Sequence, residues 1–583
     1  MILGVLLAPS APKVRHIFIR KPPILPFVAI MFTGEFPITK LALRVSLLVA
    51  ALATVTYPSA GLPAALGETE IVELTLQSAQ VGLRSGRYTS RQLVEASLAR
   101  IATYNPGYNA VITPNPDALH EADEVDRRRA AGEVLGPLAG IPVVVKDTMD
   151  IAGLPTTAGW APLSSRAGGI DLIPERDAPV VARLRDAGAV IIGKTNVPVF
   201  SLSADNANDS WAGPTYNAAA PSRAPGGSST GTATAVAASF ALLGLAEETG
   251  GSIQCPAANQ ALVGIKPTFG LVPNTGVVPL GGSTRDVIGP IARTVWDAAI
   301  ALDVLAGYTP ADPKTVAAIG KLPAGGYSAE LRGASLKGKR IGTYGPGWLE
   351  TSLSADTRRL YDKVLDDLRQ QGAILVDDPF AGSDFESIAR PAGAWRYDAR
   401  GEESVVFDLQ HYLAALGRNS PIRSVADLVK LTGQDPFSKD GLFGYLHDYP
   451  AFVASLAAPS ELPDLHDFVS ARERYLATFA DVMDRHHLDA LVLPQSITEP
   501  PLLRSTESGE QTTVSQINIG GFPAIIVPAG NYPEGTPFAA IFVGRLWDEA
   551  RLLGLAYAYE QQTHMRRAPV LVLNPAKLGR STQ

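Results

Sequence analysis

Short apolar runs alternate with amphipathic stretches along most of this chain, and that alternation leaves few folds open to it. Ile141–Val145 is an apolar run closed by Lys146-Asp147; a helical pattern over Ala178–Ala187 follows, and then a second apolar run, Ala189–Ile192. Short apolar runs bounded by turn signals suit buried strands, and a 3.6-residue apolar period suits a helix. The alternation continues to the end of the chain. Arg340–Thr343, Ile374–Val376, Ala490–Leu493, Ala524–Val527 and Phe538–Val543 read as strands, and Ala355–Gln371 and Leu476–His486 as helices. Upstream, Glu70–Tyr104 reads as two amphipathic helices with Thr89-Ser90 as a capping start. The predicted class is α/β, in one large domain over residues 66–583. No 20–50-residue repeat and no low-complexity linker divides it. Residues 381–463 are less periodic and richer in Pro, Ser and Asp, and read as an insertion facing the substrate. With 583 residues, 46% hydrophobic and 18% charged, the chain can bury a sizeable core, which argues against disorder, coiled coil or collagen.

Residues 1–65 differ from the rest. They hold six basic residues, Lys13, Arg15, Arg20, Lys21, Lys40 and Arg44, against one acid, Glu35. Behind Lys40 and Arg44, residues 45–55 form an apolar stretch followed by small residues, the pattern of a secretory signal. The expected location is secreted or periplasmic, with no stable membrane insertion after cleavage. The stretch is short for a spanning helix, although Leu41–Leu43 could extend it into an uncleaved anchor. Met31 is an alternative start.

Charge and residue usage exclude several classes. A formal net charge of −7 without a long basic run gives no footprint for nucleic acid. Cys255 is the single cysteine, and none of the 8 histidines stands in a His-x-Glu or His-Glu-x-x-His pattern, so a zinc site is not expected. No metal or organic cofactor is implied.

The chemistry concentrates in residues 225–270. Two Gly-Gly-Ser turns stand 24 residues apart, Gly226-Gly227-Ser228 and Gly250-Gly251-Ser252. The first, continued by Ser229, leads into Ala-rich sequence, placing free backbone N–H groups at a helix start. The second, Thr249-Gly250-Gly251-Ser252, lets the backbone approach a ligand closely and point N–H groups at one spot. A serine nucleophile needs a base, yet there is no histidine between Glu121 and Gln410. Lys146, closing an apolar strand, is the alternative, because desolvation lowers an amine's pKa toward the range of a base at neutral pH. Gly227-Ser-Ser-Thr-Gly231 matches Gly-x-Ser-x-Gly, but Pro221-Ser-Arg-Ala-Pro225 is a poor strand to lead into a nucleophile elbow. The only Ser-x-x-Lys, Ser10 to Lys13, lies in the leader.

Taken together, these turns resemble the amidase signature family, marked by a Gly-Gly-Ser-Ser-Gly-Gly turn and a later Gly-Gly-Ser-Ile turn. Val-Lys146-Asp147, Thr156-Thr157-Ala-Gly159, Gly193-Lys-Thr-Asn196, Gly-Ile-Lys266-Pro267-Thr, Gly289-Pro290-Ile-Ala-Arg293-Thr and Gly521-Phe-Pro-Ala-Ile-Ile-Val-Pro-Ala-Gly530 stand where the family has similar words. The resemblance implies a twisted mixed sheet covered by helices on both faces. It also implies that Ser252 is the nucleophile, Ser228 a cis-peptide serine relaying the proton, and Lys146 the base. The N–H groups of Thr249, Gly250, Gly251 and Ser252 would form the oxyanion hole, supported by Gly226, Gly227 and Ser229. The implied reaction is hydrolysis of a C–N bond in a small-molecule or peptide amide to acid plus ammonia or amine, by a monomer or homodimer. Esters, carbamates or aryl amides are alternative substrates; a transamidase component and a non-catalytic binding relative are the remaining readings. Three departures bear on this. Glu248 and Gln254 stand where the family commonly has Asp and Arg, which disfavours the aminoacyl-tRNA amidotransferase reading and looks like the peptide amidase branch; Thr230 replaces a glycine. Glu248 reads as a structural carboxylate, Cys255 as a small buried hydrophobe, and Lys266 and Asp286 as organisers of the core. His486-His487 reads as a helix C-terminal cation pair. Trp160, Trp211 and Tyr216 are candidates for pocket walls or plain packing.

Overall fold

A computed structural model describes residues 67–390 and 397–580; the leader, with its apolar run at 45–55, lies outside the described residues. Eleven strands form one mixed sheet among the described residues. They are β1 (Val111–Pro114), β2 (Pro142–Lys146), β3 (Val190–Thr195), β4 (Leu243–Glu248), β5 (Val263–Lys266), β6 (Val287–Ala292), β7 (Arg340–Thr343), β8 (Ile374–Val376), β9 (Ala490–Pro494), β10 (Ala524–Asn531) and β11 (Pro537–Val543). Their spatial order is β1-β3-β2-β4-β6-β5-β10-β11-β9-β7-β8. β2 runs parallel to both β3 and β4, and β7 parallel to β8 and β9; the remaining pairs are antiparallel.

Every residue of β2, β3, β4, β6, β9 and β11 is buried, so both faces of the sheet are covered there. That suits the β-branched run Val143-Val144-Val145, whose side chains point alternately to the two faces. The helix Thr230–Ala237 is buried all round and made of Thr, Gly, Ala and Val, small enough to lie close against β2, β3 and β4. On the periphery, Ser90–Tyr108 starts at Thr89, whose side chain accepts from the Gln92 N–H at 3.1 Å while Gln92 Oε1 accepts from the Thr89 N–H at 2.9 Å. This capping box satisfies two donors that the first helical turn would otherwise leave unpaired.

The strands expected from periodicity are present; β1, β4, β5 and β6 are additional. Leu-Gly-Leu-Ala-Glu-Glu in β4 and Val-Gly-Ile-Lys in β5 contain residues depleted in strands, and tertiary burial overrides that propensity. Glycine has a packing reason at β6: a Cβ at Gly289 would lie 1.9 Å from the Ile265 carbonyl oxygen. The helix read from Leu476 begins earlier, at His466, because Phe468, Ala471, Tyr475 and Phe479 extend its buried stripe.

Residues 381–463 divide between two cores. Phe385 and Ile388 join the main core, where Phe385 stacks on Trp348 with centroids 4.8 Å apart. From Ala399 onward, Val405, Leu409, Phe443 and Phe452 form a second core with Trp160 and Phe200. That second core rests on the loops leaving the C-terminal ends of β2 and β3. The Tyr412 hydroxyl ties it down by donating to Asp150 Oδ1 at 2.8 Å, and burial raises the Asp150 pKa to about 6.

Candidate active site

Because β2 and β4 are parallel and in register from Val143↔Leu243 to Val145↔Leu245, they end at the same edge of the sheet. Lys146 closes β2; Glu247 and Glu248 close β4, and the turn Thr249–Ser252 leaves from there. Three oxygens therefore surround the Lys146 amine: Ser228 Oγ at 2.7 Å, Glu247 Oε2 at 2.6 Å and the Glu247 carbonyl at 3.1 Å. Lys146 and Ser228 are fully buried. Burial lowers the lysine's pKa, and the Glu247 charge opposes that shift.

The first glycine turn delivers Ser228 to this amine. Gly226 has φ +81°, and a Cβ there would lie 2.5 Å from Pro256 Cα, so glycine is required twice over. The Gly227–Ser228 peptide bond is cis. The Gly227 N–H donates to the Ala204 carbonyl at 2.7 Å. Ser229 joins the two turns: its N–H donates to the Ser252 carbonyl at 3.3 Å and its hydroxyl to the Glu247 carbonyl at 3.2 Å.

The second turn is the more open side of the site, with Ser252 5% exposed and Gly250 half-buried. Gly251 has φ +94° and faces Gln511, while Gly250 faces the Tyr397 ring. Among the described residues, none accepts a hydrogen bond from the N–H of Gly250, Gly251 or Ser252. These are unsatisfied donors of the kind that can hold an anionic oxygen. Glu248 fixes the exit of the turn: Oε2 accepts from the N–H groups of Ile253 at 2.8 Å and Gln254 at 3.1 Å, and Oε1 from Gln254 Nε2 at 2.5 Å. Gln254 in turn accepts from the Thr513 hydroxyl at 2.7 Å. The pair that departs from the family pattern is thus a closed, hydrogen-bonded unit.

Other sequence candidates fall elsewhere. Cys255 is buried, which pushes its thiol pKa up and leaves it inert as a nucleophile. Lys266 donates to the Phe522 carbonyl at 2.8 Å, and burial pushes its pKa down to about 7. Trp160 packs on Phe200 in the second core. Trp211 donates from Nε1 to Thr157 Oγ1 at 2.8 Å and lines a surface cleft of about 430 Å³ with Asn105, Asn109 and Arg166, which contains none of Lys146, Ser228 and Ser252. His486 caps the helix His466–Arg485.

Sequence reasoning missed Glu247. The available signal was two adjacent acids ending an otherwise apolar run, next to a turn, in a chain that also buries Lys146: a buried cation requires a counter-charge. Asp286 also takes a defined place. It accepts from the Leu280 and Gly281 N–H groups at 3.0 and 2.9 Å and contacts Thr249 Oγ1 at 2.6 Å. Burial, followed by the Glu247 charge, raises its pKa to about 8.

Comparison with known proteins gives concordant matches. The sequence profile of the family described as Amidase matches residues 92–553. A probable amidase of Arabidopsis thaliana is 33% identical over 519 residues, covering 86% of this chain and 92% of that protein. A glutamyl-tRNA(Gln) amidotransferase subunit from Chloroflexus aurantiacus is 32% identical over 526 residues, covering 86% and 100%. Among solved structures, the native peptide amidase of Stenotrophomonas maltophilia superposes with a TM-score of 0.68 at 34% identity, covering 86% of this chain and 99% of that one.

Proposed function

This chain belongs to the amidase family and is an amide-hydrolysing enzyme, and we propose that it cleaves small-molecule or peptide amides through an acyl-enzyme on Ser252. The observation that carries this reading is the buried Lys146–Ser228 contact of 2.7 Å, joined through Ser229 to the turn that bears Ser252. In the first step Ser252 Oγ attacks the amide carbonyl. Its proton passes to Ser228 as the Ser228 proton passes to Lys146, and the carbonyl oxygen becomes an oxyanion facing the N–H groups of Thr249, Gly250, Gly251 and Ser252. Collapse breaks the C–N bond, and the relay returns the proton to the leaving amine or ammonia. Water then repeats the path on the ester and releases the acid. The acid and base roles alternate between the same three side chains.

Two features favour hydrolysis of amides that carry no fixed charge beside the nucleophile. Gln254 is neutral and engaged by Glu248 and Thr513. The second core built by residues 399–452 packs on the loops that leave the same sheet edge, and Tyr397 lies against Gly250. The test is release of ammonia or amine by the purified enzyme across C-terminally amidated peptides, aliphatic amides, anilides and carbamates, with Ser252→Ala as blank. Turnover by the wild type alone, highest on neutral peptide or aliphatic amides, is expected. Equal turnover by Ser252→Ala would refute the nucleophile assignment.

A further inference from the structure

The Lys146 amine presents a conflict. A general base must be neutral at the moment it accepts a proton, yet a carboxylate oxygen sits 2.6 Å from Nζ, with both side chains shielded from water. Opposite charge at that distance favours the ammonium. The three oxygens accommodate both forms: an ammonium donates to all three, and a neutral amine donates to two and accepts from the third. A neutral amine has two N–H bonds and one lone pair. Of its three oxygen neighbours, the Glu247 carboxylate and the Glu247 carbonyl can only accept, whereas the Ser228 hydroxyl can donate. The two N–H bonds are thereby assigned to Glu247 and the lone pair to Ser228.

The carboxylate is itself held by a neighbouring hydroxyl. Thr249 Oγ1 stands between Glu247 Oε1 at 3.1 Å and Asp286 Oδ1 at 2.6 Å. Its one hydrogen is shared between two acids, and burial, followed by the Glu247 charge, raises the Asp286 pKa to about 8. A chain of contacts thus links Asp286 through the Thr249 hydroxyl to Glu247, which accepts from the amine. The charged or titratable groups facing Lys146 are Glu247 and Glu248 from the end of β4 and Asp286 ahead of β6; Asp408 lies beyond Asp286.

Resting on the reading of the site given above, we infer that Glu247 is a positioning residue for Lys146, holding its two N–H bonds so that the lone pair meets Ser228 and then stabilising the ammonium formed as Lys146 takes the proton. The carboxylate plays toward a lysine the part that a buried carboxylate plays toward histidine in a serine triad. Its charge interacts more strongly with the protonated relay than with the resting one, which is the condition for it to speed the step. The same charge raises the pH at which the base becomes available.

The test uses a fluorophosphonate, which needs no knowledge of the natural substrate. Ser252 Oγ forms the O–P bond, the P–F bond breaks, fluoride leaves, and the serine proton passes through Ser228 to Lys146. Labelling rates are followed by intact mass against pH for wild type, Glu247→Gln and Glu247→Ser, with Ser252→Ala as blank. Loss of the negative charge is expected to move the acidic limb of the profile to lower pH by about one to three units. The plateau rate is expected to fall by at least about 10-fold, since the ammonium loses its partner. Glu247→Ser, with its smaller side chain, provides the measurement if the glutamine variant does not fold. Limbs that coincide with a labelled wild type overturn the inference alone. A wild type never labelled at Ser252 overturns the reading of the site, and the inference with it.

Discussion

Replacing Lys146 with methionine is expected to lower kcat/KM by at least about 1,000-fold, because the relay through Ser228 then ends on a group that cannot take a proton. Methionine keeps the length and apolar character of the buried stem, so loss of packing is small. Its second effect is on stability. Glu247 would stay buried without the amine that bonds it, and removing one partner of a buried pair of this kind costs about 3–5 kcal/mol. Adding Glu247→Gln removes the stranded charge and is expected to recover most of the stability but none of the activity. Denaturant midpoints at several pH values, measured beside kcat/KM, check both halves. A Lys146→Met protein with near-wild-type turnover would remove lysine from the mechanism.

Alanine at Gly251 is expected to cost about 100- to 1,000-fold in kcat, the scale for losing one preorganised oxyanion donor. Two obstacles act at this position. The φ of +94° strains any residue with a Cβ, and the added carbon would lie 2.6 Å from Gln511 Oε1. Gly250 meets only the second kind of obstacle, a contact 2.6 Å from the Tyr397 hydroxyl. The two glycines therefore separate by rescue. Tyr397→Phe should restore part of the activity of Gly250→Ala, because it removes the clashing atom. Gln511→Ala should not restore Gly251→Ala, because the backbone strain remains. Kinetics of the four variants decide this, and rescue at Gly251 would show that side-chain crowding, not backbone conformation, governs the turn.

Much of this site was legible in the sequence because its chemistry is local. Two glycine turns at fixed spacing and a lysine ending an apolar strand carry their meaning in neighbouring residues, and Lys146 and Ser228 are indeed in contact. The α/β class was legible for the same reason, since strands such as Val143–Val145 are written in β-branched residues. What escaped depends on burial and long-range pairing. β4 carries glycine, alanine and two glutamates and becomes a strand because β2 and β6 flank it. Glu247 acquires its part only when the parallel pairing of β2 and β4 brings it to Lys146, about 100 residues away in sequence. Its neighbour Glu248, by contrast, bonds the N–H groups just downstream, an arrangement readable from the turn itself. The segment 381–463 looked like one insertion from its composition, yet Phe385 packs in the main core and Phe443 in the second. Composition does not reveal which apolar side chain meets which surface.

Covalent catalysis by Ser252 is open to direct proof by trapping the acyl group. Wild-type enzyme is mixed with a slowly deacylated amide or its ester analogue, quenched in acid, and its mass measured intact and after digestion. The expected result is an added mass equal to the acyl group, located on the peptide containing Ser252, released by hydroxylamine and absent from Ser252→Ala. Turnover that persists undiminished in Ser252→Ala, or an acyl group carried on another residue, would rule it out.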